Sequence, residues 1–268
     1  MAEHPALYAL SAWLLFSACD SARGDRDRGR VAPAGAPAAS PAAGARSTTP
    51  APGPARASEP SVPIHMQILD PGARPETYVL RGKPRGPARL VFLHGMCGHA
   101  LGYAQSFQFS AAEKGTLVAP QGDSPCGKGP WAQWSPDIAD LDARIRAAFR
   151  ALGRAEPIDD IVLMGYSQGA TRAEALARKW PERYTRLVLI GAPQVTSTRG
   201  LKAVRGVVMM AGERDRQEQM KAGMRAFRAA GIPSRFIVLP GAAHGEMGST
   251  PEKSMDEALD WLFENSKP

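Results

Sequence analysis

The sequence predicts an α/β domain: a mostly parallel central sheet with helices packed on both faces. Three observations carry that expectation. Apolar runs of strand length, such as Arg89-Leu90-Val91-Phe92-Leu93, are continuous rather than alternating, as in strands buried on both sides. These runs alternate with stretches whose apolar residues recur at helical spacing, the order that joins parallel strands through crossovers. The segment Asp160 to Met164 also runs through Gly165-Tyr166-Ser167-Gln168-Gly169 into a helix-forming stretch ending near Lys179. A serine at the tip of a strand–turn–helix is the context that separates a nucleophile elbow from a chance match.

The elements follow in order. Thr77-Tyr78-Val79-Leu80 reads as an early strand, followed by a turn rich in Gly and Pro from Gly82 to Pro87. Arg89 to Leu93 is a buried strand ending in His94-Gly95-Met96-Cys97-Gly98, and Gly115 to Ala119 is the next. A loop from Pro120 to Pro136 leads to a helix over Asp137 to Leu152, with Ile138, Leu141, Ile145, Ala148, Phe149 and Leu152 on one face. After the serine turn and its helix come strands Arg186 to Ile190 and Gly206 to Ala211. A helix from Gln217 to Ala230, a strand from Arg235 to Leu239 and a helix from Pro251 to Asn265 complete the chain.

Composition divides the chain into residues 1–19, 20–60 and 61–268. From Ser21 to Pro60 the only large aliphatic residue is Val31, amid Ala, Pro, Gly, Ser, Thr and Arg. Such a segment cannot bury enough apolar surface to offset its ordering entropy, so a disordered linker is expected. Ahead of it, Ala6 to Ala18 is an apolar stretch of signal-peptide length, too short to span a bilayer. It ends in Phe16-Ser17-Ala18-Cys19, which resembles a bacterial lipoprotein signal with Cys19 as the lipidated residue. Glu3 and His4 without Lys or Arg, and Phe16 where a smaller residue is usual, depart from that pattern; an ordinary cleaved signal or a misassigned start codon is the alternative. Export to the periplasm or cell envelope is expected, with the linker as a tether; secretion is the alternative. The formal net charge of +7 is scattered, with six arginines in the linker and no dense basic run in the domain. That excludes nucleic acid as the expected partner.

With strand, elbow and helix in place, the chain from about Glu76 onward resembles an α/β-hydrolase, nearest to secreted carboxylesterases and polyhydroxybutyrate-depolymerase or feruloyl-esterase-like proteins. The resemblance implies a serine ester hydrolase (carboxylic esters, without cofactor or metal) and a chain order of nucleophile, acid and histidine. Ser167 is then the nucleophile. Asp215, in Gly212-Glu213-Arg214-Asp215 after a strand, matches the family's acid, with Glu213 as a nearby alternative. His244, in Pro240-Gly241-Ala242-Ala243-His244-Gly245, is the only histidine after the acid and matches the base. His94 and His99 precede the nucleophile and read as structural. A serine hydroxyl needs a base to take its proton as it attacks, and the oxyanion needs two preorganised donors. The resemblance places these at the backbone N–H of Gln168 and of Met96, with Cys97 second to Met96.

Only about fifteen residues, Gly191 to Arg205, lie where many relatives insert a cap, so no large cap domain is expected. Trp131 and Trp134, in a loop at a strand's carboxyl end, and Tyr166 beside the nucleophile are candidates for a substrate pocket; simple packing of the loop is the competing reading. The substrate expected is a small-molecule or polymer-end ester. If Cys19 carries lipid, Cys97 and Cys126 remain as a pair for a disulfide in an oxidising compartment, two free buried thiols being the alternative. A serine peptidase of the same fold is disfavoured because such enzymes usually carry a further domain before the hydrolase. A catalytically silent binding protein is disfavoured by the intact Ser167, Asp215 and His244.

Overall fold

A computed structural model of the chain describes residues 65–70, 75–82, 88–155 and 157–266. The expected signal segment, Cys19 and the linker lie outside them. The Gly82 to Pro87 turn is described only at Gly82.

The sheet begins with an antiparallel pair at its edge: β1 (Gln67–Ile68) on β2 (Thr77–Leu80). Then come β3 (Ala88–Leu93), helices α1 (Ala100–Gln105) and α2 (Gln108–Lys114), and β4 (Gly115–Pro120). A two-stranded ribbon, β5 (Ser124–Pro125) with β6 (Ala132–Gln133), occupies the loop before α3 (Ile138–Ala151). The second half is β7 (Ile161–Tyr166), α4 (Gln168–Lys179), β8 (Tyr184–Ile190), β9 (Gly206–Gly212), α5 (Gln217–Ala229), β10 (Ser234–Leu239) and α6 (Pro251–Asn265). The order across the sheet is β1-β2-β4-β3-β7-β8-β9-β10. From β4 to β10 every pairing is parallel; β2 pairs β4 in the opposite sense.

Period-two geometry divides each strand between two cores. Val91 and Leu93 face one side with α3, α4 and α5, while Leu90 and Phe92 face the other with α1, α2 and α6. Being buried on both faces is why these strands read as unbroken apolar runs. The connection from β8 to β9, residues 191–205, contains no helix or strand. Leu201 and Val204 bury it against the core, and buried Glu174 on α4 accepts a hydrogen bond from Thr196 Oγ1 at 2.7 Å. Burial holds the Glu174 carboxyl above its ordinary range, against the pull of Thr196 and Arg178.

Helices α1 and α2 and the short strands β1, β5 and β6 are absent from the sequence expectation. Neither α1 nor α2 has a side-chain N-cap of its own. The start of α2 is satisfied from α6 instead: Glu252 accepts from the backbone N–H of Phe109 at 3.0 Å and Ser110 at 2.8 Å. A cap supplied from more than a hundred residues away leaves no local signature.

Candidate active site

Ser167 stands between β7 and α4 with φ 50° and ψ −112°, a left-handed backbone that a non-glycine residue seldom adopts. The sheet enforces it: Ser167 N–H donates to Ile190 O at 2.8 Å, so the strand's bonding continues into the turn. The flanking glycines are steric necessities. A Cβ on Gly165 would lie 2.4 Å from Gly169 O, and one on Gly169 would lie 2.1 Å from Leu93 O.

The ends of β9 and β10 bring the partners in. His244 Nε2 lies 3.1 Å from Ser167 Oγ, and His244 Nδ1 lies 2.8 Å from Asp215 Oδ2. A carboxylate only accepts, so Nδ1 carries the proton and Nε2 is left to accept from the serine hydroxyl. The Asp215 side chain is 7% exposed against 49% for His244, so the acid sits under the imidazole and the imidazole opens to solvent. The other Asp215 oxygen accepts from Arg216 N–H at 2.7 Å. Gly191 crosses beneath with φ 53°; a Cβ there would come within 3.1 Å of Asp215 Oδ2. Glu213, the alternative acid, points elsewhere and accepts from Gly241 N–H at 2.7 Å.

Gln168 opens α4, and the loop after β3 passes alongside: a Cβ on Gly95 would lie 3.5 Å from Ser167 Cβ. Met96 follows at the exposed tip of a turn closed by Gly98 N–H to Gly95 O at 3.0 Å. Cys97, at φ 52°, is disulfide-bonded to Cys126 with the Cα atoms 5.3 Å apart. Gly98 and Ala132 exchange backbone bonds of 3.0 and 3.1 Å, so the bridge and this pairing fasten the Met96 turn to the β5–β6 ribbon.

No family model matches the sequence, and no curated protein matches it significantly. Solved structures do match in shape. A CIB-like hydrolase of Thermoplasma acidophilum superposes with a TM-score of 0.53 at 17% identity, covering 75% of this chain and 98% of its own. Carboxylesterase CesB of Bacillus subtilis gives 0.52 at 15% identity over 76% of this chain and 92% of its own. A fluorophosphonate-binding serine hydrolase of Staphylococcus aureus gives 0.52 at 14% identity over 70% and 91%. The chain has the α/β-hydrolase fold.

Within this hydrolase fold, the residues around the serine form a support that motif reading alone does not reveal. His94 is buried beneath the Met96 turn; its Nε2 accepts from Gly122 N–H at 2.9 Å, so Nδ1–H donates to Gly95 O at 2.7 Å. Burial lowers its pKa to about 4, so the ring stays neutral and keeps both bonds at ordinary pH. Trp134 is buried and stacks on His94 with centroids 4.7 Å apart, its Nε1–H donating to His94 O at 2.8 Å. Its backbone N–H donates to Gln168 Oε1 at 3.0 Å. Trp134 therefore belongs to the scaffold of the turn rather than to a pocket wall. The same holds for Tyr166: buried under the histidine loop, its hydroxyl accepts from Gly245 N–H at 2.7 Å. Tyr103 donates to Gly245 O at 2.8 Å, so two tyrosines grip both sides of the residue that follows His244. Burial raises both phenols, Tyr166 to about 12. Of the three expected pocket residues only Trp131, 50% exposed, faces open space.

Gln121 and Tyr103 escaped the sequence reading. Buried Gln121 accepts from Ala100 N–H at 2.7 Å and donates to Pro130 O at 2.9 Å and Gly98 O at 3.3 Å, joining three backbone segments. A polar residue directly after an apolar strand was the available signal. Its partners lie in other segments, where spacing cannot point to them.

Proposed function

We propose that this protein is a serine hydrolase that cleaves carboxylic esters through an acyl-enzyme on Ser167. The observation that carries the reading is the continuous hydrogen-bond chain Ser167 Oγ–His244–Asp215, at 3.1 and 2.8 Å, starting from a strained elbow. His244 Nε2 takes the serine proton as Oγ attacks the ester carbonyl and returns it to the leaving alkoxide; Asp215 holds the tautomer and stabilises the imidazolium. The tetrahedral oxyanion is met by the backbone N–H of Gln168, at the N-terminus of α4, and of Met96. The same base then activates water to release the acid. Esters, rather than another acyl donor, are favoured by the shape match to a carboxylesterase.

Export is part of the proposal. The Cys97–Cys126 disulfide belongs to an oxidising compartment, and no helix among the described residues is long and apolar enough to cross a membrane. The reading places the protein in the periplasm or cell envelope, tethered through lipid on Cys19, with a small-molecule or polymer-end ester as its partner.

A fluorophosphonate probe followed by a panel of nitrophenyl esters tests the chemistry. The wild type is expected to be labelled and to hydrolyse short esters, and Ser167→Ala to lose both while keeping its circular dichroism. Label retained on the variant, or more than a few per cent of kcat, sinks the assignment.

A further inference from the structure

A groove of about 410 Å³ opens where the two loops flanking Ser167 diverge. One wall is the disulfide hairpin, with Cys97 and Trp131; the other is the histidine loop, with Gly245 and Met247; helix α1 supplies the floor through Gly102 and Tyr103. Cys97 directly follows Met96 and Gly245 directly follows His244, so two of the residues lining the groove are chain neighbours of the reacting centre. We propose that the groove is a specificity subsite for an uncharged aromatic arm of the ester, a reading that rests on the serine-hydrolase function above and names its substrate class.

Four features define the ligand. None of the lining residues is Asp, Glu, Lys or Arg, so no permanently charged side chain lines the groove; its one imidazole, His99, lies 3.5 Å through Nε2 from the Tyr78 hydroxyl. Its hydroxyls are already committed: Tyr103 donates to Gly245 O at 2.8 Å and Ser106 to Tyr103 O at 2.6 Å. What remains toward the ligand is ring, thioether and disulfide surface. Trp131 stands edge-on to His99, centroids 6.2 Å apart, which leaves the half-exposed indole as a stacking wall rather than a core residue. Finally, space is reserved over the floor. A Cβ on Gly102 would meet nothing within 4 Å, so a helix position that any side chain could occupy holds none. A dry cavity of ~150 Å³ suffices for benzene, and this open groove has room for a fused or substituted ring. The disulfide holds the first wall together, because it bonds Cys97 of the Met96 turn to Cys126, whose backbone N–H donates to Trp131 O at 2.9 Å.

The test fills or dismantles the groove without touching Ser167, His244 or Asp215. The readout is the ratio of kcat/KM for naphthylmethyl acetate to that for ethyl acetate, and for methyl naphthylacetate to that for methyl acetate. The first pair places the ring on the alcohol and the second on the acid. The wild type is expected to favour the aromatic member of at least one pair ~10-fold or more, a size typical of a hydrophobic subsite. Gly102→Leu, which fills the floor, and Trp131→Ala, which removes a wall, each lower that ratio ~10-fold. Equilibrium dialysis of naphthylmethyl acetate and methyl naphthylacetate with Ser167→Ala reads occupancy without turnover, and Gly102→Leu added to it should weaken binding of the preferred one ~10-fold. Binding so weakened, in a wild type that hydrolyses no ester, keeps the groove and removes the esterase reading. Ratios and binding unchanged in both variants overturn the groove.

Discussion

At the residue scale the site depends on which side chain faces which partner. Asp215 and Glu213 are two positions apart on one loop, yet only Asp215 reaches His244 Nδ1, while Glu213 caps Gly241 N–H. Asp215→Asn should therefore lower kcat by ~10⁴, the cost of the wrong histidine tautomer in a serine triad, while Glu213→Gln stays within a few-fold. The reverse ranking in steady-state kinetics would reassign the acid. Tyr103 and Tyr166 test a subtler dependence, because their hydroxyls bond Gly245 rather than the reacting atoms. Removing both hydroxyls, Tyr103→Phe with Tyr166→Phe, frees the peptide beside His244 and should cut kcat ~10–100-fold, the scale of a small misplacement of a catalytic group. KM for a small ester should move less than threefold; a change confined to KM would contradict a positioning role.

At the element scale the Met96 turn is a short loop made rigid from three directions. His94 and Trp134 support it from below, Gly98 pairs with Ala132, and the Cys97–Cys126 bridge closes its outer edge. A bridge spanning 29 residues stabilises by about 3.5 kcal/mol in the chain-entropy model. Its position predicts a second effect. Reduction, or Cys97→Ser with Cys126→Ser, should lower kcat at temperatures well below the new melting midpoint, since the turn loosens before the sheet opens. An unchanged kcat up to the onset of unfolding would leave the bridge a purely global staple. The two-stranded ribbon that carries Cys126 was legible in the sequence only as a loop, because its strands are two residues long and exist through pairing with each other. Helices α1 and α2 were missed for a related reason, their ends being satisfied by Glu252 of α6 and by Gln121. Strands β3, β4, β7, β8, β9 and β10, and helices α3 to α6, were legible because each buries an apolar run or stripe that shows in its own residues.

At the scale of the whole molecule, buried His94 links stability to pH. Its folded pKa of about 4 lies below the unfolded value near 6.5. The fold therefore keeps this contribution above pH ~6.5 and loses it as pH falls toward 4, where the unfolded chain binds a proton the folded one excludes. The loss amounts to roughly 3 kcal/mol. Denaturant midpoints between pH 7 and 4 should fall in the wild type and fall distinctly less in His94→Gln, whatever that variant's starting stability; parallel slopes would remove His94 as the sensor. The proposed tether acts at the same scale. In a bacterial host the mature protein should partition into detergent with the mass of its acyl chains, several being needed for firm anchoring, and Cys19→Ser should release it or leave it unprocessed. Wild-type protein lacking acyl mass rules the tether out.

The order of the serine's partners came from the resemblance to α/β-hydrolases, but the sequence by itself determined the parallel α/β architecture and the serine turn. These are written in local patterns: apolar runs, helical spacing, and the glycines at 165 and 169 that a turn against Leu93 and α4 requires. The resemblance narrowed the acid to two neighbours, and the cysteines offered a single pair only on the condition that Cys19 carries lipid, with two free thiols as the alternative. Tertiary structure decided the rest. Asp215 over Glu213, Trp134 and Tyr166 as supports while Trp131 faces the groove, the grip of Tyr103 on Gly245 and the empty space above Gly102 all follow from contacts between distant segments. Local spacing reports which face of an element is apolar; which partner that face meets depends on how the sheet brings remote chain ends together.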